Sequence, residues 1–205
     1  MRKVKAEYLR ADLYETIFHE MNDANADACR VALATGLRIG DVLALKTCDI
    51  KGDKIAFYAQ KTRKNGEISA NSATIALLRK HTIALNPYCF PGTKVGTHRT
   101  RQAVWADMRK ACKLLGVDLH VSPHSCRKTY AVDLFHKQGI EAVKEKLQHD
   151  NVSTTLLYAF ADCNMQNPDE RIQKIAREVA TEIITEAKVE IINEIRTLFG
   201  LAPRG

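Results

Sequence analysis

The sequence predicts an α+β domain, mostly α, with one small antiparallel β-sheet. Apolar residues recur at helical spacing along most of the 205 residues. One stretch breaks that rhythm. Ile55, Phe57 and Tyr58 bring β-branched and aromatic residues together, and Asn65-Gly66 follows, a dipeptide that tolerates positive φ at both centres of a hairpin turn. Glycines, prolines and small polar residues stand where helices would begin and end. The length suits one domain with an appendage.

Tyr8 to Met21 is the first expected helix, with Leu9, Leu13, Ile17 and Met21 as its apolar row. Asn22 to Asn25 breaks the pattern, and Ala26 to Thr35 follows as a helix apolar enough to be buried. Gly36 ends it as a left-handed cap. Ile39 to Leu45 starts another helical turn. Lys54 to Gln60 reads as a strand, Arg63-Lys64-Asn65-Gly66 as a hairpin turn, and Glu67 to Ala70 as the returning strand. Ser72 to Leu85 is a helix with Ile75, Leu78 and Ile83 apolar, closed by Asn86-Pro87. Thr100 to Leu115 is the next, with Ala103, Val104, Met108, Ala111 and Leu115 able to face inward, and Trp105 with them. Gly116 closes it. Ser122 suits a cap and Pro123 a first helical position, which sets His124 and Arg127 one turn apart on one face.

Beyond them, Asp150, Asn151 and Ser153 can cap a short helix. Leu156 and Leu157 would anchor it, with Tyr158 on it and His149 just outside its start. Asn167-Pro168-Asp169-Glu170 is a cap, a first-turn proline and two acids at a helix start. That helix is expected to run to about Phe199. Ile175, Val179, Ile183, Ile191 and Ile195 give it an apolar row, while Glu178, Glu182, Glu186, Glu190 and Glu194 recur every four residues. Like charges at this spacing slightly weaken an isolated helix and repel DNA. The helix is therefore expected to pack on protein, either its own domain or a neighbouring protomer.

The formal net charge is +7 and the pI about 9.1, a balance that favours a polyanionic partner without requiring one. From Asn167 onward there are six Lys/Arg and seven Asp/Glu, a net −1, so the remainder carries +8. Arg99, Arg101, Arg109, Lys110 and Lys113 fit either phosphate contacts or a charged outer face. Six cysteines, with no Cys-x-x-Cys pair, read as reduced thiols of a cytosolic protein. No apolar run is long enough to cross a membrane, and the basic N-terminus lacks an apolar signal segment. No glycine-rich phosphate loop points to ATP. His120, His124 and Cys126 lie close, but no second ligand pair with zinc spacing follows. No cofactor or metal is expected.

The chemistry-bearing residues are Arg38, Lys61, His124, Arg127, His149 and Tyr158. Singly, each has a plain reading. Arg38 fits a surface arginine paired with Asp41, Lys61 and Lys64 a solvated turn, and His124 a capping or core histidine. A phenol ionises only near pH ~10 and is a poor nucleophile at neutral pH. It needs a base, or an electrophile so well stabilised that little base is required. A phosphodiester electrophile demands several cations and hydrogen-bond donors. Arginine suits that work because its planar fork holds two phosphate oxygens at once.

Arg38 in Thr-Gly-Leu-Arg-Ile-Gly-Asp, Lys61 before Lys-Asn-Gly, His124-Ser-Cys-Arg127, His149, and Tyr158 nine residues later stand in a recognisable order. From about Asp27 to Tyr158 the chain resembles the catalytic domain of the tyrosine recombinases, the phage integrase family. Thr129-Tyr130-Ala131 follows the same pattern. Gln148 departs from it where a glycine is usual, and Phe160 where a histidine is frequent. The resemblance implies the family's catalytic fold over residues 1–166, with residues 167–205 as a docking or oligomerising helix.

The resemblance also implies a site-specific recombinase or integrase. Tyr158 would attack a DNA phosphate to give a 3′-phosphotyrosine, and Arg38, Arg127 and His149 would neutralise the transition state. His124 would assist proton transfer, and Lys61, or else Lys64, would protonate the leaving 5′ oxygen. Acid at the place of Asp41 steadies the local structure. The implied partners are double-stranded DNA, further copies in a tetrameric synapse, and accessory DNA-bending proteins. The implied setting is cytoplasmic and nucleoid-associated, in a bacterial or phage-encoded protein. Family members usually carry a separate N-terminal DNA-clamping domain; none is expected within these residues, whether the chain is a fragment or a naturally short enzyme. A type IB topoisomerase-like enzyme, or a catalytically silent DNA-binding module of the same fold, would share much of this pattern.

Overall fold

A computed structural model describes residues 11–117 and 120–147. Within them the chain is mostly helical with one three-stranded antiparallel sheet, as expected. The elements are α1 (Ala11–His19), α2 (Asp23–Thr35), α3 (Ile39–Leu43), a 3₁₀ turn (Thr47–Asp49), β1 (Ile50–Lys51), β2 (Lys54–Ala59), β3 (Lys64–Ser69), α4 (Ser72–Lys80), α5 (Arg101–Leu114) and α6 (Pro123–Leu147). The sheet runs in the order β1-β2-β3.

The core lies between α1, α2, α5 and the start of α6, where Tyr14, Phe18, Val31, Met108 and Cys126 are all buried. On α1 the buried row is Tyr14, Ile17 and Phe18, continued just beyond it by Met21, whereas Leu13 is 46% exposed. A row taken every four residues drifts around a 3.6-residue helix, while steps of three and four stay on one face. Helix α2 begins three residues earlier than the sequence suggested. Asp107 on α5 explains the difference: its Oδ2 accepts from the Asn22 backbone N–H and from Asn25 Nδ2, both at 2.8 Å. The polar run Asn22–Asn25 is thus a helix start with a tertiary acceptor. Gly36 caps α2 at φ 71°, and its N–H donates to the Ala32 carbonyl.

The hairpin departs from expectation. Its turn is Gln60–Arg63, with Arg63 left-handed at φ 54°. Asn65 and Gly66 lie inside β3, opposite Tyr58 and Phe57. Gly66 serves close approach there, since a Cβ would meet Phe57 Cζ at 2.5 Å. Ile55 opposite Ile68 fixes the register by keeping both apolar side chains on the protein side.

Helix α4 starts at Asn71, whose Oδ1 accepts from the Thr74 N–H at 2.9 Å. It stops at Lys80, five residues short of expectation, and leaves Ile83 exposed. Lys80 Nζ and His81 Nε2 turn back onto the buried Asp27 Oδ2 at 2.9 and 2.8 Å. Helix α5 buries Val104, Met108, Ala111 and Cys112, but Ala103 is exposed and Trp105 is 52% exposed. Gly116 follows α5 in the left-handed region, as expected. Helix α6 begins at Pro123 and is interrupted at Gly139, where φ is 78°. Among the described residues no helix is long and apolar enough to cross a membrane. Cys29, Cys48, Cys89, Cys112 and Cys126 are free thiols. The expected helix carrying Tyr158 and the expected C-terminal helix fall outside the described residues.

Candidate active site

Four of the six expected residues lie in the described part, and three separate segments bring them together. Arg38 precedes α3 in an extended conformation, two residues after the Gly36 cap. Lys61 sits in the turn between β2 and β3, and Lys64 is the first residue of β3. His124 and Arg127 occupy the first turn of α6. His149 and Tyr158 lie outside the described residues.

Arg127 is 5% exposed. Its Nη1 donates to the Gly36 carbonyl at 2.6 Å, which pins the guanidinium beside the cap that Arg38 follows. Burial first, and then the charge of nearby Arg38, lower the Arg127 pKa to about 10, against the pull of Asp41. Arg127 still carries its charge at neutral pH. Two arginines held side by side where water is scarce repel each other, and an entering anion relieves both.

Asp41 is buried, and its Oδ1 accepts from the Gln60 backbone N–H at 3.1 Å. It therefore fastens α3 to the turn that carries Lys61. Among the described residues it makes no ion pair with Arg38. The contact ties Arg38 and Lys61 into one frame, although they are far apart in sequence. A second link comes from Arg101, the first residue of α5. Its Cδ lies 3.0 Å from where a Cβ on Gly40 would be, so its stem covers the first turn of α3 beside Arg38. The sequence marked Arg101 only as one member of a basic stretch.

His124 is where the charges meet. Its imidazole is lowered to about 4. Crowding by protein comes first among the causes, then the positive charges of Lys128, Arg127, Arg38 and Lys61. The residue is nonetheless exposed to solvent. A side chain that is open to water yet ringed by protein lies in a recess, and this recess is cationic. The ring is neutral at neutral pH, so it can accept a proton. Such a cluster can hold an anion and stabilise charge that builds on it. Lys128 was not singled out from sequence, although it stands one helical turn after His124.

Among the described residues, one group has carboxylate and imidazole atoms close enough to share a metal ion: Asp23, Asp27 and His81. The Lys80 ammonium already lies 2.9 Å from both carboxylates. It fills the cation's place, and the group is a structural ion-pair cluster.

Comparison with known proteins places the chain in a family and a fold. The chain matches the Phage integrase family over residues 7–165. It is 27% identical over 165 residues to a tyrosine recombinase of Thermosipho africanus, covering 77% of this chain and 58% of that protein. It is 32% identical over 152 residues to the tyrosine recombinase XerC of Nitrobacter winogradskyi, covering 66% and 46%. The chain thus spans about half the length of these relatives. Among solved structures, a lambda integrase (75-356) dimer bound to a COC' core site superposes with a TM-score of 0.64 at 20% identity, over 78% of this chain and 61% of that one. XerA recombinase gives 0.61 at 21%, over 82% and 67%. The two likenesses establish the fold.

Proposed function

The chain belongs to the phage integrase family, and on that premise we propose that it is a site-specific DNA recombinase working through a 3′-phosphotyrosine intermediate. The observation that carries the proposal is the convergence of Arg38, Lys61 and Arg127 on a neutral His124, from segments that only folding brings together. The recess suits a phosphodiester, which needs cations on its non-bridging oxygens and a proton donor for the leaving oxygen.

In this mechanism Tyr158 Oη attacks phosphorus and the bond to the 5′ oxygen breaks. Arg38 and Arg127 bind the non-bridging oxygens, with His149 as a further donor. His124 takes the phenol proton, and Lys61 gives a proton to the departing 5′ oxygen. The exposed turn position of Lys61 supports this role over Lys64, since Lys61 acts on His124. Attack by another strand's 5′ hydroxyl reverses each step. The phosphoester bond energy is kept throughout, so the chemistry consumes no nucleotide.

Residues 1–166 are the catalytic unit in this reading, and residues 167–205 a docking segment. Double-stranded DNA is the substrate. A solved neighbour is a lambda integrase tetramer bound to a Holliday junction, with a TM-score of 0.61. That supports self-association of this chain on DNA. Accessory DNA-bending proteins and a cytoplasmic, nucleoid-side location complete the proposal. The test is a nicked suicide duplex drawn from the protein's genomic neighbourhood. A covalent adduct on a denaturing gel that disappears in Tyr158→Phe supports strand exchange. Adduct-free binding points to a silent module, and sequence-independent plasmid relaxation to a topoisomerase.

A further inference from the structure

Ala59 pairs with Lys64 across the hairpin, so Gln60, Lys61, Thr62 and Arg63 form the turn between β2 and β3. Gln60, Lys61 and Arg63 are exposed, while Thr62 is half-buried. The Thr62 hydroxyl oxygen Oγ1 is shut in and has no hydrogen-bond partner among the described residues. A hydroxyl taken out of water without a partner weakens a fold, and a valine would fill the same space without that penalty. Arg63 follows at φ 54°, a left-handed conformation that residues other than glycine seldom adopt. Two hydrogen bonds hold the turn. The Arg63 N–H donates to the Ala59 carbonyl at 2.8 Å, and the Gln60 N–H donates to Asp41 Oδ1 at 3.1 Å. Packing does not call for an unpaired hydroxyl at this place, and unfavourable features of this kind gather at functional sites.

We propose that Thr62 is a positioning residue for Lys61, its enclosed hydroxyl donating to the DNA backbone beside the cleaved bond and thereby setting the ammonium against the departing 5′ oxygen. This rests on the strand-exchange reading above. Consecutive residues stand about 3.8 Å apart at Cα. A lysine that reaches the leaving oxygen therefore brings Thr62 to the phosphate that flanks it on the leaving strand. A small shift of the turn uncovers Oγ1, and the left-handed Arg63 makes the present turn shape easy to give up. The bond from Gln60 to Asp41 keeps the near side of the turn on α3, so the shift falls on Lys61, Thr62 and Arg63. The phosphate oxygen then satisfies the hydroxyl. A hydrogen bond to a charged group is among the stronger ones, and it fixes the turn with Lys61 at the leaving oxygen.

The test compares the full chain with Thr62→Val and Thr62→Ser on two suicide duplexes of the kind described above, at saturating protein. One is ordinary, and the other carries sulfur in place of the leaving 5′ oxygen. A thiol ionises near pH ~8.5. As the bond from Tyr158 Oη to phosphorus forms, sulfur therefore departs as a thiolate and needs no donated proton. Thr62→Val should slow single-turnover cleavage of the ordinary duplex by roughly 10- to 100-fold and leave cleavage of the sulfur duplex at the wild-type rate. Thr62→Ser should cleave both as wild type does. In a Lys61→Ala background, Thr62→Val should add no further loss. In the chain without DNA, Thr62→Val should raise the melting temperature by about 2–4 °C. Equal slowing on both duplexes would overturn the proposal, because the hydroxyl would then not act through Lys61. So would cleavage of the ordinary duplex by Thr62→Val at the wild-type rate, or a melting temperature below wild type, which would mean that the hydroxyl is already paired within the fold. A wild-type chain that forms no adduct on either duplex sinks the strand-exchange reading itself, a result distinct from these, and this proposal goes with it.

Discussion

Gly66 and Phe57 illustrate how one missing atom sets a local structure. The Phe57 ring lies where a Cβ on Gly66 would be, at 2.5 Å from Cζ and 2.8 Å from Cε1. Gly66→Ala should therefore cost about 1–3 kcal/mol in urea unfolding, and Phe57→Ala in the same chain should recover part of it. Additive losses would show that the two positions are independent. At the candidate site, Arg127→Lys should not behave conservatively. Lysine lacks the fork that can hold Gly36 and a phosphate together, so adduct formation should fall by roughly 10²-fold or more in single-turnover assays.

His124 offers a test of sign. Its folded value of about 4 lies below the ordinary 6.5, so the unfolded chain binds the extra proton between those values. The histidine therefore costs no stability above pH 6.5, and its cost grows as pH falls toward 4. Melting curves should show His124→Gln gaining on wild type across that window. Parallel curves would mean that the ring is not held neutral.

At the scale of elements, helix starts and ends were legible where their signal was local. Asn71, Thr100 and Ser122-Pro123 are local signals, and α4, α5 and α6 begin on them. Asn71→Ala should cost about 1 kcal/mol, read as a drop in the urea midpoint at constant slope. The end of α4 is set by a distant partner. Lys80, the last residue of α4, and His81 just after it reach Asp27 on α2, a pairing with no trace in the residues around Lys80. The hairpin turn failed for a related reason. Asn-Gly is a strong local turn signal, but the Phe57 ring and the Ile55–Ile68 pair outweighed it and moved the turn to Gln60–Arg63.

For the molecule as a whole, Asp27 is the link between α2 and α4. It is 1% exposed. Burial pushes its carboxyl up, but hydrogen bonds from Lys80, His81 and Arg30 outweigh that and hold it below the ordinary 3.8. Its contribution to stability is present above pH 3.8 and is lost as pH falls through the lower folded value. Asp27→Ala should destabilise by about 2 kcal/mol at neutral pH, and its gap to wild type should narrow below pH 3.8. A gap that stays constant into acid would assign the loss to packing.

By itself the sequence determined the mostly helical class, the single small sheet, the glycine stops at Gly36 and Gly116, and the identity of Arg38, Lys61, His124 and Arg127 as candidates. Periodicity, capping chemistry and the order of a few residue types are properties of the chain read along its length. Only the tertiary structure decided that Arg127 is tied to the Gly36 carbonyl, that Asp41 holds the Lys61 turn, that Leu13 and Trp105 face outward, and that Lys128 stands among the cations. The physical reason is that each depends on a partner many residues away, and burial, charge and hydrogen bonding act through space.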